Sequence, residues 1–137
     1  MCGGLLIPFA TNFEVRADGV DLKKPLLYMW EIFDRLTGKS KGRYVGKAKR
    51  GARRPCRHYS RNVRNLLAKE AYRPSNKEGY RLIHRALARA VEADDRIVLT
   101  LLRNVNEDED INVAEQRAIQ IAGATLNVQR NLLTTGL

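Results

Sequence analysis

Between Leu26 and Ala48 the chain reads as two strands and the turn that joins them. LLYMWEIF (26–33) is rich in aromatic and branched side chains, the composition of a buried strand. DRLTGKSKG (34–42) holds two glycines and small polar residues, as a hairpin loop requires. RYVGKA (43–48) supplies the returning strand. A chain with this hairpin must build the rest of its core around a sheet.

The remaining segments supply three helices and another strand. Arg54-Pro55 opens a helix, since proline suits the first helical position, and Val63, Leu66 and Leu67 give that helix its apolar face. YRPSNKEG (72–79) breaks it. A second helix is expected from about Tyr80 to Ala93, with Ile83, Leu87, Ala90 and Val91 at helical spacing. RIVLTLL (96–102) is a strand apolar on both faces. NVNEDED (104–110) reads as a solvated acidic loop, and a third helix over about 111–122 stops at Gly123, a good C-cap. FEVRADG could add a short strand in front, ending in an Asp18-Gly19 turn. The expected fold is therefore α/β (α+β), a small three-stranded sheet flanked by helices in the order β-β-α-α-β-α, with room for an extra N-terminal strand. The 137 residues match one domain.

Charge points to the partner. The formal net charge is +10, and from Lys39 to Arg64 the chain has no Asp or Glu. Lys47, Lys49, Arg50, Arg53, Arg57 and Arg61 all fall in that stretch, so their field is uncompensated, and nucleic acid is the expected ligand. The apolar runs are too short to span a membrane and no signal-peptide pattern opens the chain, so a soluble, cytoplasmic protein with no membrane partner is expected. Cys2 and Cys56 are expected to be unpaired thiols.

Tyr44-Val45-Gly46, on a strand paired through a Thr-Gly-Lys turn with a Tyr-X-aromatic strand, resembles the signature of the GIY-YIG nuclease family. In the first strand either Tyr28 or Trp30 takes the family's tyrosine position; side chains alternate along a strand, so both lie on one face. The family carries an Arg about ten residues after the second tyrosine and often a His four further on. Arg54 and His58 stand at those places, and residues four apart on an α-helix share a face. Arg53 and Arg57 compete with Arg54, because Pro55 sets Arg54 at the helix edge. The metal-binding Glu of the family's third helix corresponds to Glu115, and the Asn that follows that helix to Asn127. Asn112-X-X-Glu115 also reads as a capping pair at the start of that helix. The resemblance covers about residues 26–128.

It implies a DNA endonuclease, of the restriction type by its compactness, using Mg²⁺ or Mn²⁺. Glu115 would be the hard oxygen ligand, Arg54 would fork onto phosphate oxygens, and Tyr44 or Tyr28 would orient or deprotonate the attacking water with Lys47 nearby. His58 would share the proton transfer, and Asn127 would steady Glu115 or a water. A homodimer on a palindromic site would let a single short domain cut both strands. The alternative is a non-catalytic basic nucleic-acid-binding module that uses the tyrosines as stacking rings. His84 and Trp30 are assigned to the scaffold.

Overall fold

The computed structural model describes residues 13–69 and 80–127. Four strands form one mixed sheet: β1 (Glu14–Arg16), β2 (Leu26–Phe33), β3 (Ser40–Ala48) and β4 (Arg96–Asn104), in the spatial order β1-β4-β2-β3. β2 is central, antiparallel to both β3 and β4, and β1 runs parallel to β4. The extra N-terminal strand is thus present, and a four-stranded sheet replaces the expected three. Asp34 closes the β2–β3 turn, its Oδ1 accepting from the backbone N–H groups of Leu36 and Thr37. That tight turn lets β3 start at Ser40, three residues earlier than the loop composition suggested.

Helices cover both faces of the sheet. A π-helical turn (Arg54–His58) runs directly into α1 (Tyr59–Leu67), and α2 (Leu82–Glu92) packs beside it. This pair closes the main core, which takes Leu26, Tyr28, Trp30 and Ile32 from β2 and Ile97, Leu99 and Leu101 from β4. Residues of the opposite parity face the other way. There α3 (Ile111–Ala122) lays Ile111, Ala114 and Ala118 on Leu27 and Val105.

Both ends of α3 are pinned. Asp110 is its N-cap and accepts from Asn112 N and Val113 N, so the cap stands two residues before the Asn112 read from the sequence. The end of the acidic loop therefore has a structural task. At the other end Gly123 takes the left-handed conformation of a C-cap (φ 60°). Arg43 on β3 reaches the Ala122 carbonyl at 3.0 Å while pairing with Glu31 at 2.8 Å. Cys56 is buried and disulfide-bonded, not the free thiol expected. Among the described residues no helix is long and apolar enough to cross a membrane.

Candidate active site

The cleft forms at the outer strand of the sheet, where α3 and the α1–α2 pair flank β3. It encloses about 310 Å³, and its walls include Tyr28, Tyr44, Gly46, Lys47, Arg54, Arg81, Glu115 and Asn127. Six of the seven catalytic candidates read from the sequence therefore meet in one place: Tyr28, Tyr44, Lys47, Arg54, Glu115 and Asn127.

The two-strand register explains part of this. Tyr28 pairs with Gly46, and a Cβ built on Gly46 would sit 2.5 Å from both Cζ and Oη of Tyr28. Glycine is needed there because the hydroxyl end of the Tyr28 ring lies against that backbone. The choice between Tyr28 and Trp30 is thereby settled for the cleft. Trp30 is buried away from it, edge-on to Phe13 at 5.0 Å and tilted against Tyr59 at 5.3 Å. Among the described residues the Trp30 indole N–H has no hydrogen-bond partner.

His58 is the candidate that lies elsewhere. In an α-helix Arg54 and His58 would share a face, but the Arg54–His58 turn is π-helical, bonded i to i+5, so the shared face passes to Tyr59. Tyr59 accordingly enters the cluster. Its hydroxyl lies 2.8 Å from that of Tyr28, and Arg81 Nη2 donates to it at 2.5 Å. His58 instead lines a neighbouring groove of about 700 Å³ with Lys49, Arg50 and Arg53, and Lys47 and Arg54 border both openings. Burial and the charges of Arg61, Arg53 and Arg54 hold its imidazole below the ordinary value. Arg57 and Arg61 are exposed on the same helix, outside that groove.

Burial governs the titration of Tyr28 and Tyr59. Burial pushes Tyr28 up to about 12, with Tyr44 beside it adding to the rise. Burial also raises Tyr59 well above 10. Both stay protonated through the neutral range, so one hydroxyl can donate to the other across their 2.8 Å contact. Tyr44 Oη accepts from Arg81 Nη1 at 3.4 Å.

Glu115 is the carboxylate in the cleft wall, 3.4 Å from Lys47 Nζ. Among the described residues no group of three or more His, Cys, Asp or Glu gathers, so any metal here would rest on one carboxylate. Asn127 does not touch Glu115 through any hydrogen bond of its amide. Its Oδ1 accepts from Val45 N at 2.8 Å and its Nδ2 donates to Val45 O at 3.0 Å. It thus completes the outer edge of β3 as a neighbouring strand would, and holds the Tyr44–Lys47 segment in place.

Sequence reasoning missed Arg81 and Tyr59, while His84 is the scaffold residue it was read as. Burial and the charges of Arg81, Arg54 and Arg85 push His84 down to about 3, so it is neutral. Its Nδ1 accepts from Arg81 N at 3.1 Å and fixes the start of α2. No family model, curated protein or solved structure matches the chain.

Proposed function

We propose that the chain is a metal-dependent endonuclease that hydrolyses DNA phosphodiester bonds, as the GIY-YIG nucleases it resembles do. The observation that carries this reading is the convergence of Tyr28, Tyr44, Lys47, Arg54 and Glu115 on one small polar cleft. Hydrolysis needs charge relief on the phosphate, a positioned water and a proton acceptor. Arg54 and Lys47 supply cations at the cleft wall. Tyr28 is held protonated by burial and so serves as a donor that orients water or phosphate. Tyr44, whose oxygen accepts from Arg81, is assigned the proton: as the phenolate it would take the proton of the attacking water and become the phenol.

The donor set suits a hard divalent cation. Mg²⁺ keeps several waters when one or two carboxylates bind it, and Glu115 is such a carboxylate. Mg²⁺ or Mn²⁺ there would supply positive charge to the phosphate oxygens, and Lys47 would yield its ion pair with Glu115. The carboxylate argues against a purely binding module. Without a cation between them, Glu115 and a phosphate repel each other.

The adjoining groove extends the site. Lys49, Arg50, Arg53 and His58 line it with no acidic residue, and it opens beside Lys47 and Arg54. It fits the phosphates flanking the one that is cut. A restriction-type role and a two-fold dimer on the DNA are finer parts of the same proposal. The test is incubation of supercoiled plasmid with the protein and Mg²⁺ or Mn²⁺, with and without EDTA. Nicked or linear product that EDTA suppresses is expected; intact plasmid with every metal would overturn the proposal.

A further inference from the structure

Arg81 stands at the start of α2, where none of the motif residues lies, yet it lines the cleft. Two contacts anchor it there, Nη2 to the Tyr59 hydroxyl and Nη1 to the Tyr44 hydroxyl. A third fixes its backbone, through the N–H given to His84 Nδ1. Among the described residues no carboxylate pairs with its side chain: its side-chain hydrogen bonds go to the two phenol oxygens. Charges this enclosed are normally paired. A guanidinium carries five N–H donors, and the two phenols take two of them.

We propose that Arg81 is a phosphate-binding residue of the cleft, a second guanidinium that meets the phosphodiester in addition to Arg54 while its tyrosine anchors keep the fork in place. The inference rests on the nuclease reading and adds a contact to it. The anchoring serves recognition. Tyr59 and Tyr44 accept from two nitrogens of the planar fork, which fixes its plane before any anion arrives. A lysine in its place would keep the charge but could not bridge both phenols. The bound phosphate would sit between cations from three elements: Lys47 on β3, Arg54 on the π-helical turn and Arg81 on α2.

The test has one direct reading and one set of variants. Inorganic phosphate is titrated into the metal-free wild-type protein while the side-chain Nε–Hε signal of Arg81 is followed by NMR. The signal should shift in a saturable way, and sodium chloride at matched ionic strength should not reproduce it. Arg81→Gln should weaken phosphate binding by about 10-fold or more, the scale of a hydrogen bond to a charged group. Arg81→Lys should fall between it and the wild type. Arg89→Gln removes the same charge from an exposed position of α2 and should leave binding unchanged. Folding of each variant is checked by circular dichroism, and DNA cleavage is measured on the same samples. Equal phosphate affinity in Arg81→Gln and Arg89→Gln, or an Arg81 signal that phosphate does not move, overturns the inference. If the wild type cuts DNA in that event, the nuclease reading stands without it. If the wild type neither binds phosphate nor cuts DNA, both fall.

Discussion

Gly46→Ala should disturb the cleft more than any other removal or addition of one methyl group. The new Cβ would lie 2.5 Å from Cζ and Oη of Tyr28, where carbon contacts normally settle at about 3.5–4.0 Å. The ring must therefore retreat by about 1 Å. It has little room, being 2% exposed and packed edge-on to Tyr59. Such overpacking costs about 1–3 kcal/mol. Retreat also stretches the 2.8 Å Tyr28–Tyr59 hydroxyl contact beyond bonding range, a further loss of about 1 kcal/mol. At roughly 2 cal/mol/K of unfolding entropy per residue, each kcal/mol lowers Tm by about 3–4 °C in a chain of 137 residues. The expected fall is thus about 7–14 °C by differential scanning calorimetry. Cleavage should drop about 100-fold, the usual effect of a 1 Å misplacement. Tyr28→Leu shortens the opposing side chain, so the double variant should be less destabilised than the sum of the two single changes. A Tm for Gly46→Ala within about 2 °C of the parent would refute the close approach of Tyr28 to that backbone.

Tyr44→Phe should lower single-turnover cleavage by about 100-fold or more, the scale of losing a general base, while Tyr28→Phe, which removes a protonated donor, should cost less; a dead Tyr28→Phe beside an active Tyr44→Phe would reverse the assigned roles. Asn127→Ala strips both partners from the Val45 backbone and should destabilise the fold by about 1–3 kcal/mol in urea unfolding, against an unchanged midpoint if the amide only serves chemistry. His84, with its folded value near 3, binds its proton in the unfolded chain first, so its contribution to stability is complete above about pH 6.5 and is lost as the pH falls toward 3. The slope in that window should approach about 1.4 kcal/mol per pH unit, and His84→Phe should flatten it; an unchanged acid limb would show that His84 protonates freely in the folded state.

The hairpin and the three helices were legible because each is written in local pattern. LLYMWEIF, the Asp34–Gly38 turn chemistry and the 3.6-residue spacing of Ile83, Leu87 and Ala90 require no knowledge of the partner element. Gly123 was readable for the same reason. The meeting of the cleft residues followed from motif spacing that a regular hairpin and helix convert into position. What stayed hidden depends on contacts across the chain. Nothing in Arg-Pro-Cys-Arg-His announces a π-helical turn, and that one extra residue sets Tyr59 rather than His58 against Tyr28 and Arg81. Arg81 is ordinary by composition and acquires its place only when α2 packs beside α1. The clamp of Asn127 on Val45 joins positions 82 apart, beyond any local signal. Asp110 displaced Asn112 as the N-cap because its carboxylate, one residue before the helix, can reach two backbone N–H groups at once.

The most direct test of the nuclease account is single-turnover cleavage of a radiolabelled DNA duplex with saturating Mg²⁺, measured beside equilibrium binding, for the wild type and Glu115→Gln. Glu115 is the carboxylate that would carry the metal, and its loss also removes a negative charge from the cleft and frees Lys47. The account predicts metal-dependent cleavage by the wild type and none by the folded variant, whose DNA affinity is equal or higher. Cleavage by Glu115→Gln at the parent rate, under the same Mg²⁺ and with the same fold, would contradict it.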